Sequence, residues 1–142
     1  MLNKSPNWYQ IIFYYVYKSQ VYLSGGVGSP SGGAAGISGL IIINLSSLFM
    51  FINPFIGAKY FDRDVGIIIA ISLGITINAI NYYFLVANGR FIRFQKVMES
   101  QTEEQKRFGK KITWIYSLVT ILTLIISMIY LHYVYNILDI GK

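Results

Sequence analysis

Three long stretches of this chain carry no charged side chain, and they constrain its fold more than any other feature does. They cover residues 19–58, 65–89 and 112–138, so all twelve basic and six acidic residues lie between or around them. About 20 mostly apolar residues are enough for a helix to cross the ~30 Å hydrocarbon core of a bilayer. The sequence therefore predicts an all-α integral membrane protein with transmembrane helices at 36–56, 65–87 and 112–133.

The composition narrows the chemistry that such a chain can perform. The 142 residues form three spans and short connections, which favours a single membrane domain. There is no cysteine and only one histidine, His132, so the chain offers no thiolate nucleophile and no multi-histidine metal site. No metal or cofactor is expected.

The distribution of lysine and arginine predicts the orientation in the membrane. The N-terminus and segment 90–111 fall on one side and hold nine basic residues, whereas the other side holds three. Basic loops face the cytoplasm, so the N-terminus is predicted on the cytoplasmic side of a bacterial inner membrane and the C-terminus on the outer side. The net charge of +6 is assigned to contact with anionic headgroups and not to nucleic acid. The basic residues of the inner segment are Arg90, Arg93, Lys96, Lys106, Arg107, Lys110 and Lys111.

Two segments precede the first predicted span. Residues 8–23 are rich in tyrosine, with Lys18 inside, which favours a helix lying at the membrane interface. A short fourth span is the alternative, although 16 residues with a lysine are short and polar for that role. Residues 24–35 are rich in glycine and serine and are predicted to be a flexible linker.

Segment 90–111 is predicted to be a cytoplasmic helical hairpin. Basic residues alternate with Phe91, Phe94 and Met98 at helical spacing, as in a helix lying on the inner leaflet. The sequence from Ser100 to Glu103 has the form of a capping box, which predicts a new helix from Gln101.

Small and polar residues inside the spans predict helix packing. A ridge of residues four apart in the second span would let another helix approach closely; it consists of Gly66, Ala70, Gly74 and Asn78. Counted by depth, a polar layer is expected to tie the three helices together; it consists of Asn44, Asn78, Asn81, Thr120 and Thr123. Alternatively, some of these groups line a wet path in an oligomer.

Nothing in the spans predicts an enzyme. No acidic or basic residue lies inside a span, and paired carboxylates are absent. Residues 36–39 match the G-x-S-G of rhomboid proteases, but Ser38 and His132 fall near opposite ends of their spans, ~30 Å apart in depth.

The order of parts resembles small bacterial three-span membrane proteins to which no activity is assigned. The shared features are a tyrosine-rich start (14–18), a basic end to the charged segment (107–111) and an aromatic opening of the last span (114–117). Phage holins are also small and three-spanning, but they usually have an outer N-terminus and a charged tail.

We therefore expect a non-enzymatic membrane subunit that associates through the ridge and presents segment 90–111 to a cytoplasmic partner. It would work as a homo-oligomer or within a complex. The alternative is an oligomeric pore with Asn44, Asn78 and Asn81 along its path.

Overall fold

The computed structural model describes residues 6–56 and 63–138, and all the regular structure in these two ranges is helical. A 3₁₀ turn, Ala87–Gly89, connects the third and fourth of the five α-helices. The helices are α1 (Trp8–Leu23), α2 (Pro30–Ile56), α3 (Arg63–Leu85), α4 (Arg90–Glu99) and α5 (Glu103–Leu138).

Three of these helices are long and apolar enough to cross a membrane. The qualifying segments are Pro30–Pro54, Ile68–Leu85 and Glu103–Val134. The prediction of an all-α protein with three transmembrane helices is confirmed at this level. The central helix is α2, which packs against α1, α3 and α5.

The first span begins earlier than the sequence predicted. Helix α2 starts at Pro30, so the second half of the predicted linker 24–35 is helical. Two features explain the difference: proline is well suited to the first helical position, and Ser29 caps the helix by accepting the N–H of Gly32 at 3.1 Å. A glycine-rich composition concealed both signals.

The second helix of the predicted hairpin begins two residues later than the sequence predicted. Helix α5 begins at Glu103 and not at Gln101, because the capping box is formed by Thr102 and Gln105, each binding the other's backbone N–H. Glu103 pairs with Lys106, one turn away, at 2.9 Å.

The buried apolar core lies at one end of the molecule. Residues 8–38 and 85–113, which we call the basic head, contain α1, the start of α2, α4 and the start of α5. Every buried apolar side chain that the structure describes falls in this head: Ile12, Phe13, Tyr14, Tyr15, Ala34, Ile37, Leu85, Phe91 and Met98. The long helices beyond it expose most of their aliphatic side chains.

Helix α1 is built into the head through glycines of its neighbours. A Cβ added at Gly33 would lie 2.8 Å from Cβ of Tyr17, and one added at Gly36 would lie 2.7 Å from a methyl group of Val16. On α5, a Cβ at Gly109 would lie 2.4 Å from the Tyr15 ring. Such distances are too short for any side chain, so glycine is needed for α1 to pack this closely.

Helices α2 and α5 meet through small hydroxylated residues. Thr113, Thr120 and Ser127 are buried on α5 and recur every seven residues, and Ser47 is buried on α2. A seven-residue repeat keeps one side of a helix against its neighbour over several turns. The hydroxyls of Thr113 and Ser47 bond to carbonyls of their own helices, so they add no polar cost to the contact.

Candidate functional site

The polar residues of the spans form two clusters at different depths. The inner cluster joins three helices: Asn81 of α3 donates to the hydroxyl of Ser38 on α2 at 2.8 Å and accepts a short hydrogen bond from the Tyr9 hydroxyl of α1. Ser38 in turn donates to the carbonyl of Ala34 at 2.6 Å. Both ends of the buried Asn81 amide are therefore satisfied inside the chain.

The outer cluster lies about two turns further along α2. Both protons of the Asn44 amide are donated to α5, one to the Tyr116 hydroxyl at 3.0 Å and one to the Thr120 hydroxyl at 3.2 Å. Asn44 lies six residues, or ~9 Å, beyond Ser38. The single layer that the sequence predicted is thus two separate ties, because Ser38 and Asn44 are too far apart along α2 to share partners.

Two other members of the predicted layer lie outside both ties. Thr123 bonds to the carbonyl of Val119 on its own helix at 2.8 Å. Asn78 is exposed, and its one polar contact among the described residues is with the Ser38 hydroxyl at 3.4 Å, which competes with the shorter bond from that hydroxyl to Ala34. Its amide N–H₂ donates to no group in that part of the chain.

The ridge predicted on α3 turns toward α2 where its surroundings are described. A Cβ added at Gly74 would meet the Ile42 side chain of α2 at 3.5 Å, an ordinary packing distance. Ala70 is exposed, and Gly66 is described only as part of α3. The face of α3 opposite Gly74 carries Ser72, Thr76 and Ala79, all exposed.

Sequence reasoning missed Tyr9, Ser38 and Tyr116 as partners of the asparagines. Tyr9 was assigned to the interface, whereas it bonds to a residue 72 positions away in the chain. Only the packing of α1 against α2 and α3 brings these groups together. The sequence offered one indirect signal: an asparagine inside a span needs a hydrogen-bond partner, and few polar residues in neighbouring helices could serve as one.

The basic residues divide into engaged and free side chains. Arg90 donates to the carbonyl of Tyr83 at 3.3 Å and lies over that ring, with 5.2 Å between the guanidinium carbon and the ring centre. Arg93 donates to the Asn88 carbonyl at 3.1 Å. Both place positive charge at the carboxyl end of α3, where the helix dipole favours it.

The other basic residues of segment 90–111 are less constrained. Lys106 forms the ion pair with Glu103, which is the one ion pair among the described residues. The remaining four are exposed and unpaired in the same part of the chain: Lys96, Arg107, Lys110 and Lys111.

Burial affects the tyrosines of α1. Desolvation is the main cause that raises the pKa of Tyr9, Tyr14 and Tyr15 above the ordinary value of 10.0. The Tyr15 hydroxyl also donates to the carbonyl of Lys106 at 2.9 Å, so α1 is tied to α5 as well as to α3. These phenols are held neutral, and those of Tyr9 and Tyr15 serve as hydrogen-bond donors.

A cleft of about 540 Å³ opens on the basic head between the last turn of α1 and α4. Its walls are mainly apolar, and Lys18 and Gln95 contribute polar groups. Tyr22 on its wall is 85% exposed. An open, aromatic, weakly basic cleft suits a protein side chain better than an enclosed small ligand.

Comparison of this chain with models of known protein families, with curated proteins and with solved structures found no match.

Proposed function

We propose that this protein is a non-enzymatic membrane subunit whose three spans hold the basic head at the cytoplasmic face of a bacterial inner membrane. The head offers a surface to a cytoplasmic partner. The observation that carries the proposal is the position of the core: the buried apolar side chains lie in the head, while the spans are thinly packed.

Exposed aromatic residues support this placement in the membrane. Trp8, Tyr83 and Trp114 are more than half exposed and lie where the head joins the spans. Tyr9 bonds to Asn81, which brings the start of α1 to the level of the end of α3. Tryptophan and tyrosine favour the headgroup region, so this ring of side chains marks the inner boundary. On this placement most of α1 stands below the bilayer, packed in the head.

The charge of the head supports the cytoplasmic side. Within residues 8–38 and 85–113 there are eight basic and three acidic side chains. Lysine and arginine concentrate on the cytoplasmic side of membrane proteins. The open cleft beside Tyr22 gives a partner a place to dock within this positive surface.

The polar groups of the spans favour a structural role over a conducting one. The amides of Asn44 and Asn81 form their hydrogen bonds with other helices of the same chain. Interhelical bonds of this kind contribute about 0.6 kcal/mol each in a membrane protein. They stabilise the bundle, and neither amide is left unpaired to line a polar path.

Association with a second copy is the second part of the proposal. The exposed face of α3 carries Ser72, Thr76 and Ala79, which are small enough for a close approach by another helix. Asn78 lies about 100° around the helix from Ala79, toward the side that faces α2, so the contact between copies rests on these three small residues.

One observation favours the alternative of a pore. The same α3 face carries the hydroxylated residues Ser72 and Thr76, and the exposed Asn78 lies further around the helix toward α2. Three helices are too few to enclose a channel, so several copies would have to turn this face inward. A pore formed in this way would use α3 and not the sealed amides of Asn44 and Asn81.

Two measurements on the purified protein test the proposal. Because the chain lacks cysteine, an Ala79→Cys variant carries one thiol, and oxidation in membranes links two copies only if their α3 faces meet. A Leu118→Cys variant on the exposed side of α5 is the matched control. We expect a disulfide-linked dimer from the first variant and none from the second.

Ion and dye flux through liposomes separates the two functions. A subunit without a pore keeps vesicles tight at every protein density. Flux that disappears in Asn78→Leu while the Ala79→Cys crosslink persists would replace the subunit role with the pore. Equal crosslinking at the two cysteine positions would refute association through α3.

A further inference from the structure

One face of α5 is exposed from its basic start into the apolar span, and we infer that it binds an anionic phospholipid. The side chains of this lipid face are spaced three and four residues apart, so they share one side of the helix. All six are exposed: Arg107, Lys110, Lys111, Trp114, Leu118 and Ile121.

The three cations of the lipid face form no hydrogen bond or ion pair among the described residues, although Arg107 and Lys110 lie within the electrostatic range of Glu103. By contrast, Arg90 and Arg93 are committed to backbone carbonyls at the end of α3, and Lys106 is paired with Glu103. A phosphate group would therefore find its donors free at α5 and occupied at α3. Charge complementarity selects an anionic ligand for this face.

The order of residues along the lipid face selects a lipid over a soluble anion. Lys110 and Lys111 lie ~5 Å before Trp114 along the helix axis, and Arg107 lies ~10 Å before it. Beyond Trp114, which is 74% exposed, the face continues with the aliphatic Leu118. A phospholipid whose phosphate binds these cations would thus lay its acyl chains along the apolar part of the face. The Trp114 indole would then lie at the headgroup boundary.

The comparison with α3 explains why the two exposed faces differ in partner. At bilayer depth α3 exposes the small side chains of Ser72 and Thr76, over which another helix can pack closely; the Thr76 hydroxyl itself donates to the Ser72 carbonyl at 2.8 Å. At the same depth the α5 face exposes only hydrocarbon. The first is suited to another helix and the second to lipid.

The test uses tryptophan fluorescence. The chain has two tryptophans, so Trp8→Phe leaves Trp114 as the single reporter. The variant is placed in vesicles of phosphatidylcholine with a minor fraction of phosphatidylglycerol. In one set the phosphatidylglycerol carries bromine near the start of its acyl chains, and in the other an equal mole fraction of phosphatidylcholine carries it.

We expect brominated phosphatidylglycerol to quench Trp114 more strongly than the same amount of brominated phosphatidylcholine. Removing charge by Lys110→Gln and Lys111→Gln should reduce this preference about fivefold for each residue. The control pair, Lys18→Gln with Lys96→Gln, removes the same charge elsewhere on the head and should keep the preference.

Two results would overturn the inference. One is equal quenching by the two brominated lipids in the chain with intact cations. The other is an equal loss of preference in the control pair, which would mean that net charge alone attracts the lipid. All substituted positions are on the surface, and unchanged helical circular dichroism verifies that each variant is folded.

Discussion

The packing of α1 against α2 predicts a large difference between two glycine-to-alanine substitutions on the same helix. At Gly33 the new methyl group would lie 2.8 Å from Cβ of Tyr17 and 3.1 Å from the Phe13 ring. Because Cβ of Tyr17 is fixed to its backbone, no rotamer change relieves the contact and α1 must shift. At Gly39 a methyl group has nothing within 4 Å.

The expected cost follows from these distances. Overpacking a tight contact costs about 1–3 kcal/mol. Helix α2 stays helical whether or not α1 is docked, so the higher helix propensity of alanine cancels. The opening of α1 should therefore become roughly 5- to 150-fold more favourable in Gly33→Ala and stay unchanged in Gly39→Ala.

A buried thiol measures this opening. Ala34 is fully buried between α1 and α2, and the chain has no cysteine, so Ala34→Cys introduces one protected thiol. Under conditions in which opening limits access, the rate of labelling by a water-soluble maleimide reports the population of the open state. Both glycine variants are compared in this background.

The outcome that would refute the reasoning is equal labelling of Gly33→Ala and Gly39→Ala. It would mean that α1 does not pack through Gly33, and the position of the core in the head would lose its main support. Faster labelling of Gly39→Ala than of Gly33→Ala would contradict the described packing outright.

Three further predictions concern the polar ties. Asn44→Leu should lower the free energy of unfolding in mixed micelles by about 1 kcal/mol, since two interhelical bonds are lost, whereas Asn78→Leu should change it little. Tyr15→Phe removes the bond to α5 and should speed thiol labelling about fivefold, for a bond worth about 1 kcal/mol. Because burial raises the pKa of Tyr9, Tyr14 and Tyr15, their contribution to stability is constant below pH 10.0 and falls as the pH rises above it; a pH series of unfolding free energies measures this, and phenylalanine replacements should remove it.

For the tyrosine-rich segment, the sequence predicted the helix but not its surroundings. Its helix runs Trp8–Leu23, the bounds that periodicity suggested, because Asn7 and Gln10 form a local capping box. The environment of that helix was not predictable in the same way. Four consecutive buried residues, from Ile12 to Tyr15, face several neighbours at once, and a helical wheel drawn for a flat interface cannot describe this.

The glycines give the clearest case of a signal that was visible but assigned elsewhere. The spacing from Gly66 to Asn78 predicted a helix-packing ridge because its period matches one side of a helix. Close approaches between helices occur instead at Gly33 in the predicted linker, at Gly36 where the first span was predicted to begin, and at Gly109 in the predicted hairpin. A periodic row of small residues shows that another helix could pack closely there, but it does not show which helix does so.

The sequence by itself determined which segments have the length and composition to cross a bilayer. Charge-free stretches of span length settle which helices are long and apolar enough for a bilayer, since hydrocarbon accepts no unpaired charge. Only the tertiary structure decided where the polar groups go: Asn81 to Tyr9 and Ser38, and Asn44 to α5. The physical reason is that hydropathy is a property of one segment's composition, whereas a hydrogen bond or a close contact needs two segments in one place.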